Sequence, residues 1–151
     1  MNLSHNRVEI LHGVNFDVLE RRDPEIYGGL SLAQLEQRIG TSARNVGLTP
    51  NFFQTNSETE MVERLHRLSE LTDAIIINAG AWTHYSYAIG DALALTGLPA
   101  IEVHLSDVNS REDFRRISVF DGQVLAKISG QGPDGYDQAL QHLATHLAEQ
   151  G

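Results

Sequence analysis

The chain has 151 residues, 41% hydrophobic and 21% charged, the balance of an ordinary globular protein, and its length favours a single domain over 1–151 with one core. A formal net charge of -9 argues against general nucleic-acid binding, which needs a basic face, but leaves room for a few arginines to form a local pocket for a small anion. The absence of cysteine excludes disulfides, thiolate nucleophiles and cysteine metal sites, and is compatible with a cytoplasmic location.

In chain order, the opening MNLSHNRVEI lacks the basic-then-apolar pattern of a secretory signal, and no later apolar run is long enough to cross a bilayer. RVEILHG reads as a first strand, followed by a Gly/Pro-containing loop to about Leu30. SLAQLEQRIGTSARNVG reads as an amphipathic helix with a capping box at Ser31 and Gln34 and a stop at Gly47. NFFQT is a second strand, and SETEMVERLHRLSEL a second helix with a capping box at Ser57 and Glu60. DAIIIN is a continuous apolar run, as in a strand buried on both faces. The turn AGAW leads into a third helix, THYSYAIGDALALTG; PAIEVHL is a fourth strand, and SDVNSREDF a loop with one helical turn. GQVLAKIS is a fifth strand, and GYDQALQHLATHLAEQ a closing helix.

Alternating strands and helices predict right-handed βαβ units around a parallel sheet. Five strands in one domain predict an α/β, flavodoxin-like three-layer sandwich of order 2-1-3-4-5, with ligands bound beyond the carboxyl ends of the strands. That position selects candidates: Asn15, Arg21, Arg22 and Tyr27 after the first strand, Asn78, Thr83 and His84 after the third, and Glu102, His104, Ser106, Arg111 and Arg115 at and after the fourth.

Glu102 and His104 are two residues apart on a strand and share a face, so the carboxylate can fix the imidazole tautomer and favour its protonated form. A plain structural ion pair has the same spacing. REDFRR puts Arg111 and Arg115 on one face if helical, as a bidentate clamp for oxygens or as a solvated basic patch. His12, His84 and His104 could meet at a metal, but no HxH or HExxH spacing supports one, and no metal is expected. GQGPDG matches GxGxxG literally, yet Pro133 removes an N–H that a phosphate would need, so a plain strand-to-helix turn is expected. The one lysine, Lys127, lies in a strand, and Schiff-base chemistry would rest on it alone.

The stretches ILHGVNFDVLERRDPEIYGG, IIINAGAWTHYSYAIGDAL and PAIEVHLSDVNSREDFRRIS, with QTNSETEMVERLH and GQGPDGYDQAL, resemble type II 3-dehydroquinate dehydratase over nearly the whole chain. The resemblance implies a cofactor-free anti elimination of water from 3-dehydroquinate, a small anionic substrate, to 3-dehydroshikimate through an enolate. The reaction would serve the shikimate pathway or quinate catabolism. By matching motif, Tyr27 would be the base and Arg22 its electrostatic partner, with Arg111 in support. Asn15 would hold the enolate, and His104, oriented by Glu102, would protonate the leaving hydroxyl. Leu105 and Ser106 would bind the carboxylate, and Asn78, His84 and Arg115 the ring hydroxyls. Asp91 would approach from a neighbouring subunit of a trimer-based dodecamer. An ordinary tyrosine is ionised to about one part in a thousand at neutral pH, so the base role requires cations beside it. The glycines that end DPEIYGG suit a lid over the substrate.

The chain departs from the family pattern at His12, Val14 and Asp17 in HGVNFD, where Asn-Gly-Pro-Asn-Leu-Asn is usual, and at Glu20, Gly90 and Asp107. Two alternatives remain open. One is a flavodoxin-like binding module such as a flavin carrier, although Arg22, Pro24 and Tyr27 ill suit a flavin phosphate loop. The other is a protein of the same family that binds or dehydrates a related hydroxy-ketone acid.

Overall fold

The computed structural model describes residues 5–150. The reading of the amino terminus rests partly on residues 1–4, outside the described residues. Five parallel strands, β1 (Arg7–His12), β2 (Thr49–Gln54), β3 (Ala74–Asn78), β4 (Ala100–His104) and β5 (Ala126–Ser129), form one sheet of order β2-β1-β3-β4-β5, as the strand and helix alternation predicts. The helices are α1 (Pro24–Tyr27), α2 (Leu32–Asn45), α3 (Glu58–Leu71), α4 (Tyr87–Thr96) and α5 (Asp134–Gln150).

The period of two along the strands divides the core into two layers. Val8, Ile10, Ile76, Ile101 and Val103 pack on Leu35, Ile39, Leu140 and Leu143 of α2 and α5. Leu11, Ile75 and Ile77 pack on Met61, Leu65, Leu68, Ile89 and Leu93 of α3 and α4. The central strand β3 is buried along its whole length, which is why its sequence is an uninterrupted apolar run.

Ser31 and Gln34 make the complete capping box at the start of α2, and Gly47 follows that helix at φ +83°. At α3 only half of the expected box forms. Ser57 accepts from the Glu60 N–H, but the Glu60 carboxylate takes the nearer Thr55 hydroxyl at 2.7 Å. β2 begins before the expected NFFQT and includes Pro50, tolerated because β2 is an edge strand of the sheet among the described residues. The expected third helix starts later than Thr83: the 3-10 turn Gly80–His84 takes in its first two residues, and α4 begins at Tyr87 with Ser86 as its cap. β5 is shorter than expected, because residues 122–125 form a turn that brings the strand back to β4. The 23–29 segment is partly helical, with Asp23 capping α1, Pro24 in its first turn and Gly28 ending it at φ +87°.

Two glycines allow the exits of β1 and β3 to approach each other closely. A Cβ on Gly13 would lie 2.2 Å from the Ala79 carbonyl oxygen, and one on Gly80 would lie 2.9 Å from that of Val14. Any larger residue at Gly13 would push the two exits apart.

Candidate active site

The exits of β1, β3 and β4 enclose a cavity of about 150 Å³ beyond the carboxyl ends of the strands. Asn15, Arg22 and Tyr27 line it from the β1 side, Asn78 and His84 from the β3 side, and His104, Leu105, Ser106, Arg111 and Arg115 from the β4 side. Phe16, Leu19 and Val108 supply an apolar wall. Glu102 is fully buried behind His104 rather than on the wall. Asp91 is not brought to the cavity; it lies on the exposed face of α4.

The phenol oxygen of Tyr27 receives two guanidinium donors, Arg22 Nη2 at 2.5 Å and Arg111 Nη1 at 2.7 Å. The Arg22 guanidinium also lies over the Tyr27 ring, 4.2 Å from its centroid. Two donors occupy both lone pairs of a neutral phenol, whereas a phenolate accepts both without a surplus hydrogen to place. The cluster therefore stabilises negative charge on that oxygen. Arg111 reaches Tyr27 from between two 3-10 turns, Val108–Ser110 and Asp113–Arg116, so Arg111 and Arg115 do not share a helical face as the sequence suggested. Both line the cavity nonetheless. Arg115 pairs with Glu112, and Arg21 is exposed outside the cavity.

Asn15 is the one non-glycine residue at positive φ, +73°, among the described residues. Asparagine tolerates this conformation better than most residues, and such conformations gather at functional sites. Asn56 holds Asn15 there: its Oδ1 accepts the Asn15 backbone N–H at 2.8 Å, and its Nδ2 donates to Asp17 at 3.0 Å. The departure at Asp17 thus takes part in fixing the loop, and that at Asp107 caps the following turn by accepting from the Asn109 N–H.

His104 Nε2 lies 2.5 Å from Glu102 Oε2. Thr83 donates to the same carboxylate oxygen at 2.5 Å, and Ser118 donates to the other at 2.7 Å. Burial opposes ionisation of Glu102, but the His104 hydrogen bond and charge, aided by the two hydroxyls, outweigh it and hold the carboxyl below its ordinary value. With a carboxylate accepting at Nε2, the ring's Nδ1 is the atom left to exchange a proton. His84 stacks on His104 with centroids 6.4 Å apart, and its Nδ1–H donates to the Ile117 carbonyl at 2.7 Å. Burial first, then the His104 and Arg115 charges, keep the His84 imidazole below its ordinary value despite that carbonyl.

The depressed carboxyl has a sign. Glu102 ionises more readily in the fold than an ordinary glutamate carboxyl, so it stabilises the fold above the ordinary carboxyl range and loses the contribution as pH falls through its lowered value. In Glu102→Gln, the drop in thermal midpoint between about pH 5 and pH 3 is expected to shrink, by about 2–4 °C per kcal/mol of lost linkage. Parallel melting curves for the two proteins over that range would contradict it.

Thr83 stood out in the sequence by its place after β3, but its partner Ser118 had no such mark, since 35 residues separate the two. Residues 117–119 act as a strap: the Ile117 carbonyl holds His84, the Ser118 hydroxyl holds Glu102, and the Val119 N–H donates to the Thr83 carbonyl at 2.7 Å. Gly90 lies beneath this strap, where a Cβ would sit 3.1 Å from the Val119 carbonyl oxygen. The GQGPDG turn has a structural task. Gly130 N–H donates to the Ser106 carbonyl at 3.0 Å and Gly132 N–H to that of Leu105 at 3.2 Å, fixing the β4 exit. Lys127 is 3.5 Å from Asp121 and does not line the cavity. Among the described residues, no group of three or more His, Asp or Glu side chains is placed to hold a metal, and no helix is long and apolar enough to cross a membrane.

A sequence model described as Dehydroquinase class II matches residues 6–144. The chain is 47% identical over 135 residues to a 3-dehydroquinate dehydratase of Pelobacter propionicus, an alignment covering 89% of this chain and 91% of the relative. The crystal structure of a type II dehydroquinase from Propionibacterium acnes superposes with a TM-score of 0.88 at 40% identity, covering 93% of this chain and 97% of that one. A type II dehydroquinase from Butyrivibrio crossotus gives 0.89 at 38% identity, covering 93% and 98%. Full-length similarity of this degree, on a sheet of the expected order, places the chain in the class II dehydroquinase family.

Proposed function

We propose that the chain is a type II 3-dehydroquinate dehydratase, a hydro-lyase that removes water from 3-dehydroquinate. The observation that carries the reading is the pair of guanidiniums on the Tyr27 oxygen, facing the Glu102-held His104 across one cavity in a chain of this family. Tyr27, as phenolate, takes the proton beside the ketone. The electron pair moves onto the carbonyl oxygen as an enolate, which Asn15 helps to hold. The enolate then collapses, the carbon–oxygen bond of the hydroxyl breaks, and His104 supplies the proton that turns the departing hydroxide into water. Transfer of the Tyr27 proton back to His104 closes the cycle, so the net change is loss of one water.

Leu105 and Ser106 bind the substrate carboxylate, and Asn78, His84 and Arg115 its hydroxyls. A neutral His84, with Nδ1–H committed to Ile117, offers Nε2 as an acceptor. Asp91 completes the site from a neighbouring copy in a trimer-based dodecamer. Its place on the exposed face of α4, near exposed Tyr87 and Leu95, supports an intersubunit role.

The direct test is incubation of purified protein with 3-dehydroquinate. Enone absorbance is expected to grow without added metal, and a flat trace at high enzyme concentration would overturn the reading.

A further inference from the structure

Three polar side chains meet on the α5 face of the sheet, below the cavity. His12 ends β1, Asn78 ends β3, and the two are partners in the parallel register, so their side chains point to the same face. Tyr136, fully buried in the first turn of α5, bridges them: its hydroxyl is 3.2 Å from Asn78 Nδ2 and 2.8 Å from His12 Nε2. His12 is itself fully buried, stacks on Phe16 at 4.7 Å, and has no partner for Nδ1 among the described residues. Only Asn78 of the three lines the cavity.

Donor and acceptor accounting gives this chain a direction. The Gly80 N–H points at Asn78 Oδ1, 3.4 Å away, so Nδ2 is the atom that faces Tyr136. The Tyr136 oxygen therefore accepts from Asn78, and its own proton has His12 Nε2 as acceptor. Burial pushes the His12 imidazole down to about 3 and the Tyr136 phenol up, so both are neutral. The single imidazole proton then sits on the unpartnered Nδ1. Without an acceptor at position 12, the Tyr136 proton would turn toward Asn78 and favour the flipped amide, exchanging donor for acceptor at the cavity.

We propose that His12 and Tyr136 are positioning residues: by drawing the Tyr136 proton away from Asn78, His12 locks the Asn78 amide with its second Nδ2 hydrogen available to the cavity, and so sets affinity for a hydroxylated substrate. The inference rests on the reading of Asn78 as a ligand of substrate hydroxyls.

The test combines a double-mutant cycle with a spectrum. Tyr136→Phe and His12→Phe, which keeps an aromatic ring against Phe16, are each expected to raise KM roughly tenfold with kcat changed less than about threefold. Asn78→Ala should raise KM comparably, and adding Tyr136→Phe to it should change KM by less than about twofold, because the relay then has nothing to hold. His12→Gln, whose Oε1 can accept from Tyr136, should restore KM to within about twofold of wild type and covers the case of a poorly folded phenylalanine variant. Unchanged KM in both phenylalanine variants, or effects that multiply on Asn78→Ala, would overturn the relay. An Asn78→Ala enzyme with normal KM would overturn it too, while leaving the dehydratase reading intact. Independently of turnover, the ring nitrogen NMR spectrum of His12 should place its proton on Nδ1; a proton on Nε2 would overturn the relay even in a protein with no dehydratase activity.

Discussion

Tyr27→Phe is expected to lower kcat by about 10²–10⁴, the range contributed by a positioned general base, while KM stays within about threefold of wild type. The substitution removes one oxygen. The ring over which Arg22 lies remains, and so does the short helix that carries it. The loss corresponds to about 3–5 kcal/mol of transition-state stabilisation. It has two parts: the proton acceptor itself, and the anion on which the Arg22 and Arg111 charges were focused. With the phenol oxygen gone, two guanidiniums face the cavity without their acceptor, and they are free to attract the anionic substrate. Ground-state binding is therefore expected to be maintained, or tightened, as turnover falls. Steady-state kinetics with 3-dehydroquinate and the affinity for an unreactive carboxylate analogue measure the two halves separately. Turnover within tenfold of wild type would remove Tyr27 as the base.

His104→Ala is expected to cost a similar factor, about 10²–10⁴ in kcat, because hydroxide is a poor leaving group without a proton. The variant also leaves Glu102 buried with only Thr83 and Ser118 as donors. Loss of an ionic partner from a buried carboxylate costs about 1–3 kcal/mol or more, so the thermal midpoint should fall as well. Two observations separate chemistry from stability. The proton-abstraction step should survive, so His104→Ala should still exchange the substrate proton beside the ketone with deuterated solvent faster than it forms enone. Tyr27→Phe should lose both. A His104→Ala enzyme that loses exchange and elimination in equal measure would place His104 in the base machinery instead.

Much of the architecture could be read along the chain because it is written in short-range periodicity. The buried run of β3, the Ser31–Gln34 box, the glycine at position 47 and the alternation of strand and helix each depend on neighbours a few residues away. The same short range explains the misreadings. The segment from Thr83 to Gly97 reads as one helix, but the Val119 N–H bonds the Thr83 carbonyl and Ser86 provides the cap, so the helix starts only at Tyr87. The carboxylate of Glu60 left its expected capping partner for Thr55, a choice between two nearby donors that spacing cannot settle.

For the site, local sequence pattern already gives the ingredients and their edge of the sheet. Polar residues following β1, β3 and β4 must emerge at one end of a parallel sheet, and Glu102 and His104 must share a face because strand side chains alternate. Those are consequences of local geometry and connectivity. That Arg22 and Arg111 converge on one oxygen, that Ser118 reaches back to Glu102, and that Tyr136 joins His12 to Asn78 are facts of the folded chain. The sequence separations of 84 residues for Arg111 to Tyr27 and 124 for Tyr136 to His12 show why. Contacts so distant along the chain follow from how helices settle on the sheet, through side-chain volumes and close approaches such as Gly13 against Ala79, and no pattern in one strand or helix encodes them.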